Sequence, residues 1–493
     1  MSRMDLSIAQ IAQACKGKLC LGGANLDRCV TSVVLDSRKV TMDGVFVATV
    51  GERVDGHQFI SEVFAKGVGL VIAQKTIEEV CREHGLSTQG WKCYLYVEDT
   101  FQALKDIAEY YRSKLTIPIV GITGSVGKTS TKEFVATVLS QKYQVLKTEG
   151  NFNNEVGVPL TLLRIRKEHE AAVIEMGISD FGEMHRLSKM VRPNICLITN
   201  IGQCHLENLK TRDGILQAKT EIFDFMDPDG EVCLNGEDDK LCTIKEVHGK
   251  RVHFFGMSAC GAGESPAEVY ASHVEGKGLW GSEALLHMRH QVGQAEGIFP
   301  VQVPLPGKHM VLNAAAAACV GRLLGLDKEQ ITSGISKVSA VSGRTNLIRL
   351  SDYTLIDDCY NANPVSMMAA LDLLKLADTY RVAILGDMFE LGEDSHAMHA
   401  EVGAYAIASG VDSLLCVGEN SRHMYEAAKK DAKETQSVLY FATRQELMAA
   451  IKEEKNRLLP LNSTILLKAS HGMQFPMVLE LLKENSESKG ALF

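Results

Sequence analysis

The stretch Pro118-Ile-Val-Gly-Ile-Thr-Gly-Ser-Val-Gly-Lys-Thr-Ser130 admits few folds, because an apolar run passes through a glycine-rich turn straight into a helix start. A strand that feeds a tight turn and then a helix is a unit of layered α/β architecture. Gly124 and Gly127 let the backbone curl around a phosphate with its N–H groups aimed at the oxygens. A helix N-terminus supplies only about half a positive charge. A triphosphate carries several negative charges, so Lys128 and a Mg²⁺ held by Thr129 must do most of the neutralising. Gly124, Ser125, Val126, Gly127, Lys128, Thr129 and Ser130 are therefore the candidate ATP cradle. The spacing departs from the usual G-x-x-x-x-G-K-[ST]: position 122 is Ile, and the glycine falls one residue earlier, at Gly121.

With 493 residues the chain exceeds what one hydrophobic core supports, about 250–300 residues. Strand-like runs at 117–122, 171–174, 195–199, 381–385, 413–417 and 464–468 alternate with helical stretches at 128–140, 367–376 and 477–482. Upstream, a helix near 7–15, strand-like 30–35 and 45–48, and a helix near 101–114 read as a small separate α/β unit. The segment 260–281, rich in Gly, Ser and Ala, reads as a looser β-rich insertion, and 484–490 as a polar tail. The expectation is an α/β chain of three domains: 1–113, a small N-terminal unit; 114–341, a parallel sheet carrying the phosphate loop; 342–493, a Rossmann-like unit.

Composition narrows the class further. A net charge of −9 argues against a nucleic-acid coat or a polybasic membrane anchor. The 13 cysteines include no C-x-x-C pair, so they read as reduced thiols of a cytoplasmic protein. The N-terminus lacks an apolar signal core, and the chain lacks an apolar run long enough to span a bilayer, so no membrane insertion is expected.

Several further segments place polar residues where a strand or helix begins or ends. Asn151-Phe-Asn-Asn154 read alone is a helix-capping loop. Val173-Ile-Glu-Met-Gly177 puts Glu175 at the tip of an apolar strand, where a carboxylate is either exposed or bound to a cation. His205 follows another strand, and Lys219 by itself is a helical lysine. Ile356-Asp-Asp-Cys-Tyr-Asn-Ala-Asn-Pro364 is a strand-end turn. Together with T-G-S-V-G-K-T-S these segments resemble the Mur ligases, a superfamily shared with the folylpolyglutamate synthases, in which ATP phosphorylates a carboxylate and an amine attacks the acyl phosphate.

The resemblance implies roles. Glu175, His205 and a CO₂-carbamylated Lys219 would join Thr129 around Mg²⁺, and Asn153 and Asn154 would face the muramoyl substrate. Gly307-Lys-His-Met-Val-Leu-Asn313 is similar to the family's G-x-H-N-x-x-N-A, with Asn313 toward the nucleotide and Met310 where the first Asn usually stands. Ser342-Gly343-Arg344 would bring Arg344 to the ATP phosphates; Asp358 would meet the ribose, and Asn361 and Asn363 the amine substrate. Asp36-Ser37-Arg38, with Gly44 to Ala48 and Gly51 to His57, resembles a UDP-binding domain in which Ser37 and Arg38 touch substrate. Tyr360-Asn-Ala-Asn-Pro-Val-Ser366 and Leu385-Gly-Asp-Met-Phe-Glu-Leu-Gly392 point to the member that adds D-alanyl-D-alanine to UDP-N-acetylmuramoyl-tripeptide, as a monomer. Lys468-Ala-Ser-His-Gly472 departs from the family's K-G-S-R-G at Ala469 and His471, which weakens any substrate contact there or makes it pH-dependent. Two other readings stand beside this one: a sibling ligase with another amine, and a P-loop nucleotide switch without ligase chemistry.

Overall fold

The computed structural model describes residues 3–22, 25–51, 54–259, 267–289, 297–341 and 343–487; Ser342, first of the Ser-Gly-Arg motif, and parts of the expected segments 260–281 and 484–490 lie outside them. The first sheet has five strands in the order Lys18–Gly22, Cys93–Tyr96, Leu70–Ala73, Val45–Ala48, Val33–Val34, parallel except for the first pair. Val45–Ala48 and Leu70–Ala73 are apolar and buried throughout, as strands covered on both faces must be. The expected strand 30–35 shrinks to Val33–Val34, because the Val30 backbone instead exchanges hydrogen bonds of 2.9 Å with Met4 and Leu6.

The central sheet has nine strands. Val145–Lys147, Ala171–Glu175, Ile119–Thr123, Ile195–Ile198, Glu231–Asn235, His253–Gly256 and Val269–Gly276 lie side by side and parallel. Ser282–Met288 and Gly297–Val303 extend them as an antiparallel meander. The segment 260–281 is thus no insertion: within its described residues it carries a full strand of the main sheet, whose alternating buried positions pack under helix Lys308–Leu323. That helix is buried through Ala314–Ala318, and small side chains there let it approach helix Lys128–Leu139 closely.

The third sheet runs Asn346–Arg349, Tyr353–Asp357, Ser463–Lys468, Arg381–Gly386, Ser413–Val417, Ser437–Phe441, parallel after the first hairpin. In both large sheets the chain leaves a central strand in opposite directions, and the crevice at the carboxyl ends of such strands is where α/β sheets bind ligands.

Helix Thr100–Ser113 joins the first two units. Tyr111 donates to the Ile165 carbonyl at 2.8 Å, and Arg112 donates to the carbonyls of Val191 and Arg192 at 2.7 and 2.8 Å. One apolar cluster runs from Leu6 and Val45 through Leu104 and Ile107 to Leu162 and Met184. The third unit has cores of its own, with one foreign member. Leu279, at the tip of the hairpin between Val269–Gly276 and Ser282–Met288, is buried in the cluster formed by helix Pro364–Leu374 and its sheet. Beside it Trp280 lies 4.3 Å from the Arg349 guanidinium.

Candidate active site

A cleft of ≈ 980 Å³ lies between the carboxyl edges of the central and third sheets. The phosphate loop forms one wall. Gly124 has φ +146° and a Cβ there would fall 2.0 Å from Thr199 Oγ1; Gly127, at φ +83°, opens helix Lys128–Leu139. Asn200 clamps the loop, its Oδ1 accepting from Val126 N–H and its Nδ2 donating to the Val126 carbonyl, both at 2.9 Å. Lys128 folds back to donate to the carbonyls of Gly124 and Ser125 at 2.7 and 3.3 Å, and burial lowers its pKa.

Glu175 ends its strand almost fully buried. Its Oε1 accepts from Thr129 Oγ1 at 3.1 Å and from Asn153 Nδ2 at 2.9 Å. Its Oε2 has no hydrogen-bond partner, and the nearest cation, Lys132 Nζ, is 3.8 Å away and donates to the Thr148 carbonyl. A buried carboxylate oxygen whose lone pairs meet no donor carries a desolvation cost that a hard cation removes. Lys219, buried on helix Arg212–Thr220, has no carboxylate partner among the described residues. Burial first, and then the charge of Lys128, pull its pKa down to about 8. His205, at φ +51°, faces the same region; burial lowers its pKa, the charges of Lys128 and Lys219 push the same way, and Glu390 opposes them. The unpaired Glu175 Oε2, with Thr129 Oγ1 beside its other oxygen, is what suits a divalent cation; His205 lines the same cleft, whereas Thr129 and Lys219 are not among its lining residues.

Asn313 accepts from Thr131 Oγ1 at 3.0 Å, while the buried Met310 sulfur lies 3.7 Å from its amide nitrogen, so position 310 is a packing position. From the third unit, the Arg344 guanidinium lies 4.1 Å from the Tyr360 ring, whose edge meets His471. Asp358 pairs with Lys468 at 2.6 Å and accepts from Thr345 N–H at 3.0 Å. Asn361 lines the cleft. Asn363 also lines it, but its Oδ1 caps helix Pro364–Leu374 at Ser366 N–H, 2.8 Å. Asn154 likewise spends its Oδ1 on Gly157 N–H at 2.8 Å. Cys359 is buried against Asp357, and both effects push its thiol pKa up, away from the thiolate form.

Ser37 and Arg38 are not among the residues lining the cleft. They form a short turn in the first unit, where Arg38 pairs with Asp36 at 2.9 and 2.8 Å and the Ser37 carbonyl accepts from Lys66. The sequence reading gave no role to Asn200, Thr148 or Lys132, and it quoted Glu390 only as part of a motif. For Asn200 the position just after an apolar strand was the available signal; the others depend on which strand lies next to which.

Family models cover most of the chain: a Mur ligase family catalytic domain over residues 30–112, a Mur ligase middle domain over 122–321, and a Mur ligase glutamate-ligase domain over 343–471. The UDP-N-acetylmuramoyl-tripeptide–D-alanyl-D-alanine ligase of Bacillus subtilis is 32% identical across 97% of this chain and 98% of its own length. This chain belongs to the Mur ligase family. The Escherichia coli enzyme of the same name is 33% identical over 98% of this Mur ligase and 99% of itself. Among solved structures, MurF from Acinetobacter baumannii matches with a TM-score of 0.83 at 30% identity, covering 98% of this chain and all (100%) of that one. MurF from Thermotoga maritima, solved with ADP, matches at 0.75 and 27%, covering 93% and 98%. The three-domain α/β architecture read from the sequence is the one these structures share.

Proposed function

We propose that this Mur ligase uses ATP to join D-alanyl-D-alanine to UDP-N-acetylmuramoyl-tripeptide through an acyl phosphate, giving the pentapeptide precursor of peptidoglycan. The observation that carries the reading is the orphaned Oε2 of buried Glu175, set beside the phosphate loop in a cleft whose other wall comes from the third unit. Full-length similarity to ligases of that name supports the choice of substrates.

The work divides along the chain. Residues 1–113, with Ser37 and Arg38, hold the uridine end; 114–341 hold ATP; 342–493 bring the dipeptide past Asn361 and Asn363. The loop backbone and Lys128 cradle the phosphates, trading the carbonyls that Lys128 now holds for phosphate oxygens. Asn313, Arg344 and Asp358 hold the rest of the nucleotide. Thr129, Glu175, His205 and carbamylated Lys219 are the residues that would hold Mg²⁺, which would supply positive charge where the transferred phosphoryl group spreads its negative charge. The tripeptide carboxylate attacks the γ-phosphorus and ADP leaves. The dipeptide amine then attacks the acyl carbon, losing a proton, and phosphate departs. Because the reactants arrive on separate units, closing the cleft brings them together and keeps water from the acyl phosphate. The enzyme acts as a monomer in the cytoplasm; no helix among the described residues is long and apolar enough to cross a membrane.

Phosphate release from ATP, measured with each substrate omitted in turn, tests this. Release that needs both the UDP-tripeptide and D-alanyl-D-alanine, with the mass of the UDP-pentapeptide formed, is the expected result. Release that ignores the dipeptide keeps the ligase chemistry and rejects the named amine. Absence of any substrate-dependent release rejects the ligase.

A further inference from the structure

Glu390 belongs to the third unit, yet its Oε2 lies 3.0 Å from Nδ1 of His205 in the central unit, across the mouth of the cleft. Neither residue stands in relaxed backbone: Glu390 has φ +61° and His205 φ +51°, a left-handed region that side chains other than glycine seldom occupy and that clusters at functional sites. The loop that offers the carboxylate is pinned. Met388 and Leu391 on either side are buried, Met388 N–H donates to His399 Nε2 at 3.0 Å, and Phe389 N–H donates to Ser470 Oγ at 2.9 Å. Opposite, the His205 carbonyl accepts from Leu209 N–H at 2.9 Å, fixing the turn that carries the ring. Such a pair adds little to stability, since the Glu390 side chain is 63% exposed and exposed ion pairs contribute about 0–1 kcal/mol. Two strained backbones held rigid for an interaction of that size call for another purpose.

We propose that Glu390 is a positioning residue that crosses from the third unit to fix the His205 ring, so that docking of the third unit on the central one is what makes the metal site competent. A carboxylate on Nδ1 sets the tautomer and leaves Nε2 as the lone-pair nitrogen, the arrangement that orients histidine ligands at metal sites. The amine-carrying unit thereby controls the ion that the phosphoryl transfer needs. This rests on the reading of His205 as a metal ligand.

The test is Mn²⁺ binding, followed by electron paramagnetic resonance, to full-length enzyme with a non-hydrolysable ATP analogue and UDP-tripeptide. Glu390→Ala is expected to weaken Mn²⁺ about tenfold, Glu390→Gln less, because its amide oxygen still accepts, and exposed Glu393→Ala not at all. The KM for D-alanyl-D-alanine stays at the wild-type value in Glu390→Ala while kcat falls. His205→Ala is the reference arm. If it leaves Mn²⁺ affinity untouched, the metal reading of His205 fails and the proposal with it. If His205→Ala weakens Mn²⁺ and Glu390→Ala does not, the coupling alone is overturned. A raised KM for the dipeptide with unchanged Mn²⁺ affinity also overturns it, making Glu390 a substrate contact.

Discussion

Lys219, buried behind the residues that line the cleft, shows most directly how burial sets chemistry. An amine captures CO₂ only when neutral, and a lysine at its ordinary value is almost wholly protonated at neutral pH. With the pKa at about 8, roughly a tenth is neutral at pH 7. The linkage has a definite sign: between about 8 and the usual lysine value the folded chain binds fewer protons than the unfolded one, so an unmodified Lys219 makes stability rise with pH across that window. At fixed dissolved CO₂, the initial rate of ¹³C-carbamate labelling is expected to climb about tenfold per pH unit up to pH 8 and then level. The signal is expected to vanish in Lys219→Met; a flat pH profile, or labelling that survives the substitution, removes Lys219 as the site. Read alone, Lys219 gave no sign of this, because a helical lysine owes its burial to neighbours distant in sequence. Glu175 was more legible, since a carboxylate ending an apolar strand has few explanations. Asn363 shows the opposite limit: the sequence marks a polar residue at a helix start, and the helix itself takes up its oxygen.

At the scale of elements, the strand, glycine loop and helix after Pro118 were readable because each is set by local sterics and apolar spacing. The two glycines of that loop differ in a way that the sequence hides. Gly127→Ala places a methyl in left-handed backbone with nothing nearer than Asn313 Oδ1 at 3.8 Å, a strain of about 1 kcal/mol. Gly124→Ala drives a methyl into Thr199 and must open the loop against the neighbouring strand. Calorimetric titration with ADP is expected to show a loss of several-fold for Gly127→Ala and no measurable binding for Gly124→Ala; equal losses would mean that Thr199 yields. The strands that the sequence reading missed, Leu70–Ala73 and Cys93–Tyr96 among them, are short buried runs without alternation. Their pairing is decided by the whole sheet. The strand Val269–Gly276 was obscured by the glycines before it, although its alternate burial follows the ordinary period of two.

For the molecule as a whole, the shared apolar cluster makes the first two units one cooperative body, while the third folds around separate cores. Calorimetric unfolding is expected to resolve into two transitions, and a pattern of three would contradict the shared core. Arg112→Ala removes hydrogen bonds from a buried charged group, worth about 1.5–3 kcal/mol each. It is expected to lower the larger transition by several degrees and leave the smaller one in place. Three units could be counted in the sequence because composition and alternation change between them. Their unequal attachment could not, since it depends on contacts such as Tyr111 with Ile165 and on Leu279 seated away from its own sheet. That last contact has a mechanical meaning. A plate joined to its frame at one point swivels freely; joined at two, it turns like a door about the line through both, and a contact away from that line, such as Glu390 with His205, acts as the latch. The covalent passage near Gly343 is one pivot and the Leu279 tip is the other. While the tip stays seated, the third unit can bring Arg344 and Asp358 to the nucleotide only along a single arc, the one on which Glu390 meets His205.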